Sequence, residues 1–155
     1  MSSDADTTYR ALLLDDFEAY EELIEELTAF IDAGGRIGVA LHNRAVAQWE
    51  IGRTDEALAG LEQAIGALPT IAMPNRVQGM ILHRIGRLPE ALAALDRALS
   101  IEPEDVTLWR KRAEIRADAG LLAEAIADLD CAMRLQPTFK HSIAERARLQ
   151  ALLAR

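Results

Sequence analysis

Small and apolar positions recur along most of the chain at an interval of 34 residues. Ala57, Leu61 and Ala64 have counterparts in Ala91, Leu95 and Ala98, and again in Ala125, Leu129 and Ala132. Within each set the spacing is four and then three, which places all members on one face of an α-helix. A glycine precedes each set and a proline follows it, both in the same register: Gly52, Gly86 and Gly120, then Pro69, Pro103 and Pro137. The pattern predicts two antiparallel helices per unit. Glycine ends the first helix in the left-handed conformation it adopts without steric cost. A second helix restarts at Thr54, Leu88 or Leu122, and Pro89 suits its first turn, where a missing N–H is not needed. The later proline ends that helix and opens the next unit. The alanines are expected at close helix–helix contacts.

The N-terminal quarter has a different pattern. Phe17, Tyr20, Ile24, Leu27 and Ile31 follow one another at steps of three and four, which predicts an amphipathic helix over 16–33, stopped by Gly34 and Gly35. Asp15 with Glu18 reads as a cap and its capping-box partner. Tyr9, Leu12 and Leu13 fit a shorter preceding helix. Together these form a degenerate hairpin that needs about three extra residues to meet the register of the later units. The alternative is a lid folded over the binding face of the array.

A 34-residue period with this signature resembles the tetratricopeptide repeat (TPR) family, over roughly Gly38 to Arg155. The small residue in the middle of each first helix is Ala45, Gly79 and Ala113, and it recurs as Ala147 in a last, unpaired helix that reads as a C-terminal cap. Trp109 stands at the family's early aromatic position, where the other units have Leu41, Asn75 and Ile143. Gln48, Leu82 and Arg116 replace the family's tyrosine, and Arg44, Arg112 and Arg146 precede the small residue. The resemblance implies an all-α fold, an α-solenoid of antiparallel helix pairs. Its divisions are an acidic N-terminal segment at 1–37, repeats at 38–71, 72–105 and 106–139, and a capping helix at 140–155.

Charge sharpens this division. Residues 1–35 carry ten acidic side chains and one basic, whereas the remainder is close to neutral, so the net −8 of the chain is concentrated at its N-terminus. A pI near 4.9 argues against a nucleic-acid-binding surface. The longest apolar runs fall short of the roughly 18–20 residues that span a bilayer. One cysteine excludes an internal disulfide framework. Cys131 shares its register with Gln63 and Arg97 and is expected on an outward face. The start of the sequence does not resemble a signal peptide, and arginine far outnumbers lysine. A bacterial, cytoplasmic protein is expected.

No phosphate-binding loop, zinc-ligand spacing or nucleophile–base arrangement emerges, so neither catalysis nor a cofactor or metal is expected. The resemblance implies instead that the first helix of each unit lines a concave binding face. The stripe not used for stacking reads Val39, His42, Val46 and Trp49, then Met73, Arg76, Met80 and His83, then Thr107, Arg110, Glu114 and Ala117. The last helix continues it with His141, Ala144, Arg148 and Ala151. All three histidines fall on this stripe. Arg76, Arg110 and Arg148 face a single carboxylate there, Glu114, and the early part is apolar. Arginine, methionine and tryptophan are favoured at interfaces. The carboxylate clamp with which some TPR domains hold chaperone C-termini would map to His42, Val46, Val77, Thr107 and Lys111. Both clamp asparagines and one lysine are missing, which removes that specificity. The expected function is an adaptor or scaffold that binds an acidic, partly apolar segment of another protein, as a monomer or weak homo-oligomer. The alternative is a self-associating module whose exposed helices stack between chains.

Overall fold

The computed structural model describes residues 17–35, 37–138 and 140–154. Among them the chain forms α-helices and no strand. In order these are α1 (Phe17–Asp32), α2 (Ile37–Glu50), α3 (Thr54–Ala67), α4 (Met73–Arg84), α5 (Leu88–Ile101), α6 (Val106–Asp118), α7 (Leu122–Leu135) and α8 (Lys140–Leu153). They belong to two compact units, 1–77 and 78–155, and the division falls within α4.

The local rules that the sequence suggested are realised. Gly52, Gly86 and Gly120 adopt φ values of +82°, +80° and +77° at the ends of α2, α4 and α6. Each allows the following N–H to reach back to a carbonyl of the helix, as Arg53 does to Gln48 at 2.8 Å. The repeat-register alanines of the second helices are buried: Ala57, Ala91 and Ala125 have no exposed surface. The central glycine of α4 is a close approach, because a Cβ on Gly79 would lie 3.0 Å from Leu95 Cγ.

In the N-terminal unit, α1 buries Leu23, Ile24 and Leu27 against Ala40 and Ala47 of α2, with Tyr20, Phe30 and Ile31 at the margin. These buried residues repeat the spacing of Gly60, Leu61 and Ala64 in α3, at an interval of 37 instead of 34. The three extra residues are the offset that the sequence required. In the C-terminal unit the equivalent contact is made by α7, whose Ala125 and Leu129 meet Leu149 of α8. Leu149 stands in the register of Ala47. Thus α1 packs on α2 as a second helix packs on the first helix that follows it, and its apolar stripe lies on the stacking side of α2. Arg53 ties the two ends of this contact by an ion pair to Glu21 at 2.6 Å. Asp15, Tyr9, Leu12 and Leu13, the proposed cap and preceding helix, lie outside the described residues.

Candidate functional site

The first helices alternate between buried and exposed neighbours. Val39 is 51% exposed, while Ala40 beside it is 4% exposed. Met73 and Met80 are each 41% exposed, next to the buried Pro74 and Ile81. The stripe singled out in the sequence is therefore the face that stacking leaves over.

In the N-terminal unit this face is largely apolar. Val39 is exposed and Val46 and Trp49 are half-buried on α2. Met73 opens α4, and Ile37 and Ile71, both outside the stripe, are exposed as well. The polar members are His42 and Arg76. Arg76 donates to Met73 Sδ at 2.7 Å. His42 is half-buried, and its Nδ1 is buried without a hydrogen-bond partner. Burial, and secondarily the positive charge of Arg76, holds the imidazole below its usual pKa, so it is biased toward the neutral form.

In the C-terminal unit the same face is charged. Thr107, Arg110, Lys111 and Glu114 of α6 and His141 and Glu145 of α8 line an open cleft of about 200 Å³. Asp105 caps α6 by accepting from the Thr107 N–H at 2.7 Å, which fixes the start of this wall. Trp109 is directed away from the stripe, its indole N–H donating to the Pro103 carbonyl at 2.7 Å. Lys111 pairs with Glu114 at 2.9 Å. Arg148 donates to Glu145 at 2.9 Å. That hydrogen bond holds the Glu145 carboxyl below the usual range, against a smaller opposing effect of burial and with help from His141. His83 Nε2 and Asp118 Oδ2 are 2.7 Å apart.

Of the sequence-identified residues, Thr107, Arg110, Glu114 and His141 share this cleft. Arg148 reaches it only through Glu145, and His83 is engaged by Asp118. Val39, His42, Val46, Trp49, Met73 and Arg76 belong to the other unit. Two lining residues lie outside the stripe: Lys111, named only as a clamp position, and Glu145, which the sequence did not single out. They occupy one common register on α6 and α8, 34 residues apart, beside the stripe. They add one charge of each sign, so the cationic excess of the stripe is unchanged, with Glu114 paired to Lys111 and Glu145 to Arg148. Cys131 is half-buried, and its Sγ accepts from Arg134 at 3.0 Å. Among the described residues, no group of three or more His, Cys, Asp or Glu side chains is placed to hold a metal ion. No described helix is long and apolar enough to cross a membrane.

Two family models, both described as tetratricopeptide repeat, match residues 42–102 and 78–154. Among solved structures, MamA 41-end from Desulfovibrio magneticus RS-1 is similar with a TM-score of 0.80 at 16% identity, over 97% of this chain and 84% of that one. The first TPR of Spaghetti (RPAP3), bound to the HSP90 peptide SRMEEVD, gives 0.70 at 18% identity over 77% of this chain and 94% of that one. YrrB, a TPR protein with an unusual peptide-binding site, gives 0.71 at 20% identity over 84% and 67%. At these identities the likeness is one of fold. No curated protein matches the chain.

Proposed function

The chain belongs to the tetratricopeptide repeat family, and on that premise we propose that it is a non-catalytic adaptor that binds a segment of another protein through its first-helix faces. The observation that carries the reading is the exposure of Val39, Met73 and Met80 beside fully stacked neighbours. Large apolar side chains kept at the surface in a repeating register have no part in the core, and such surfaces mark interaction sites. The peptide-bound RPAP3 domain and the peptide-binding YrrB, similar in fold, support a peptide partner. We read the partner as partly apolar, to meet Val39, Val46, Trp49 and Met73, and acidic, to meet Arg76 and Arg110. The repeats run over 38–71, 72–105 and 106–139 in this reading, the excess of arginine over lysine supports a bacterial source, and the single cysteine fits a cytoplasmic setting.

Selection of a displayed random peptide library on the full chain tests this. Enriched peptides should combine carboxylates with apolar anchors. The double variant Arg76→Glu and Arg110→Glu should bind them more weakly by roughly tenfold or more, about 1.4 kcal/mol. Its helical content should match the parent. Affinity of the parent should fall as salt screens the charges. Enrichment without acidic residues, or unchanged binding by the double variant, overturns the assignment.

A further inference from the structure

The three histidines of the chain all lie on the outward stripe of the first helices, but they keep different company. His83 Nε2 lies 2.7 Å from the Asp118 carboxylate, so a proton gained by that ring meets a counter-charge at once. His141 shares its cleft with Glu145, whose carboxyl its charge helps to hold below the usual range. His42 differs. Among the described residues no carboxylate pairs with it, and the charge that acts on it is that of Arg76 on α4, which has the same sign as a protonated ring.

The carboxylates of the helices packed around α2 are engaged elsewhere or stand at the surface. On α1, Glu21 is paired with Arg53 at 2.6 Å, and the others are exposed. On α3, Glu56 accepts from Gln48 at 3.1 Å, and Asp55 and Glu62 are exposed. On α2 itself, Arg44 donates to the Thr28 hydroxyl of α1 at 3.3 Å. Glu50 is exposed, about two turns away. The ring is flanked on its own stripe by apolar side chains, Val39 and Val46, each one turn from it. Its Nδ1 is enclosed and has no hydrogen-bond partner. Only Nε2 is left to meet a group that arrives from outside.

This part of the face therefore holds half of an ion pair. Burial and Arg76 bias the ring toward its neutral form. A carboxylate set against Nε2 would supply what His83 and His141 already have. An opposite charge within about 4–6 Å favours the charged form of a titratable group by roughly tenfold or more. By linkage, the protonated ring holds that carboxylate more tightly by the same factor. We propose that a side-chain carboxylate of the bound segment completes this pair and that the imidazole takes up a proton from solvent as the segment binds, so that the chain holds an acidic partner more tightly below neutral pH. The proposal rests on the reading of this face as a binding surface for an acidic, partly apolar segment. Its sign is opposite to that for the free chain. Protonation of His42 loosens the free fold, whereas the same proton tightens the complex. The gain in affinity begins as pH falls past the pKa of the bound state and is complete below that of the free state.

The probe is the most enriched acidic peptide of the displayed library, made with acetylated and amidated ends so that all its carboxylates belong to side chains. Its affinity for the full chain should rise by roughly tenfold as pH falls from about 7.5 to about 5.5, the range in which histidine changes charge. Calorimetry near about pH 6.5, in phosphate and in imidazole buffer, should give heats that differ by the uptake of up to about one proton per peptide. The His42 ring resonance should titrate at higher pH in the saturated complex than in the free chain. His42→Gln should lose the gain at low pH and the buffer dependence together. Binding with the same affinity at both pH values, equal heats in the two buffers, an unmoved His42 titration, or full pH dependence in His42→Gln each overturn the proton link and leave the adaptor reading standing. A selection that enriches no acidic peptide overturns that reading and the link with it.

Discussion

The first-helix faces of the two units share a register but differ in chemistry. In the N-terminal unit the face is apolar, with Val39, Val46, Trp49 and Met73 around one histidine and one arginine. In the C-terminal unit it is a cleft of interleaved charges, with Lys111 paired to Glu114 and Arg148 to Glu145. Stacking fixes which positions face outward. It leaves open which residues stand there, because an outward side chain adds little to stability. The shared scaffold carries the common part of the sequence signal, and the exposed register is free to diverge. In the proposed binding role, the first face contributes affinity through desolvation and the second contributes selectivity through charge.

The comparison breaks first if the scaffolds are not equivalent. Ala57→Arg and Ala91→Arg each drive a long cation into a site without exposed surface. Overpacking costs roughly 1–3 kcal/mol, and the buried charge adds several more. Both variants should lose cooperative thermal unfolding. A parent-like melt for either would show that its unit does not depend on the close alanine contact.

The next largest effect should be confined to the C-terminal unit. Asp128 is 2% exposed and is held by Arg112 at 2.7 Å and Arg116 at 2.8 Å, whereas its counterpart in α3 is Gly60. Asp128→Ala removes the carboxylate they share but leaves Arg112 with Asp96 and Arg116 with the Glu124 carbonyl, so it should cost about 1–3 kcal/mol in denaturant unfolding. A loss below about 1 kcal/mol would mean that water compensates the arginines as well as the carboxylate does.

Smaller still, and visible in binding more than in stability, is a paired test of the two faces. Val39→Asp and Thr107→Asp alter the same register in different units, and both positions are exposed. Each should shift unfolding by no more than about 0.5 kcal/mol. For a selected acidic, apolar peptide, Val39→Asp should cost more affinity, because it removes apolar contact and adds repulsion. An equal loss in the two variants would erase the chemical distinction between the faces.

The smallest effect is on pH dependence. The folded pKa of His42 is depressed, so the unfolded chain takes up its proton more readily. The stability linked to this histidine is complete above its unfolded pKa of about 6.5 and is lost as pH falls from there through the lower folded value. His42→Gln should flatten the pH dependence of the melting temperature in that window. An unchanged slope would assign it to other groups.

Much of this was legible because it is written in a repeating register. The alanine–leucine–alanine face, the glycine stops and the outward stripe each recur, so one unit confirms the next. The extra offset before α2 was also readable, and α1 packs as that offset requires. The electrostatics were not legible. Neither Glu145 nor Asp128 stands out in the sequence: Asp128 has Gly60 and Ala94 as its counterparts, so no repeated pattern marks it. Whether a charged side chain is exposed or clamped depends on cations brought in from a neighbouring helix. That information is pairwise, and a single sequence carries no repeated trace of it.

Because the helices pack on their neighbours along the chain, α1 on α2, α2 on α3, and α5 through α8 in turn, ordering any one contact closes only a short loop. Proteins dominated by such local contacts have low contact order and fold on the microsecond-to-millisecond scale. Nucleation is open to any hairpin and can spread in either direction. An emerging nascent chain could thus consolidate α2 with α3 before α8 has been synthesised, so that assembly follows the order of translation.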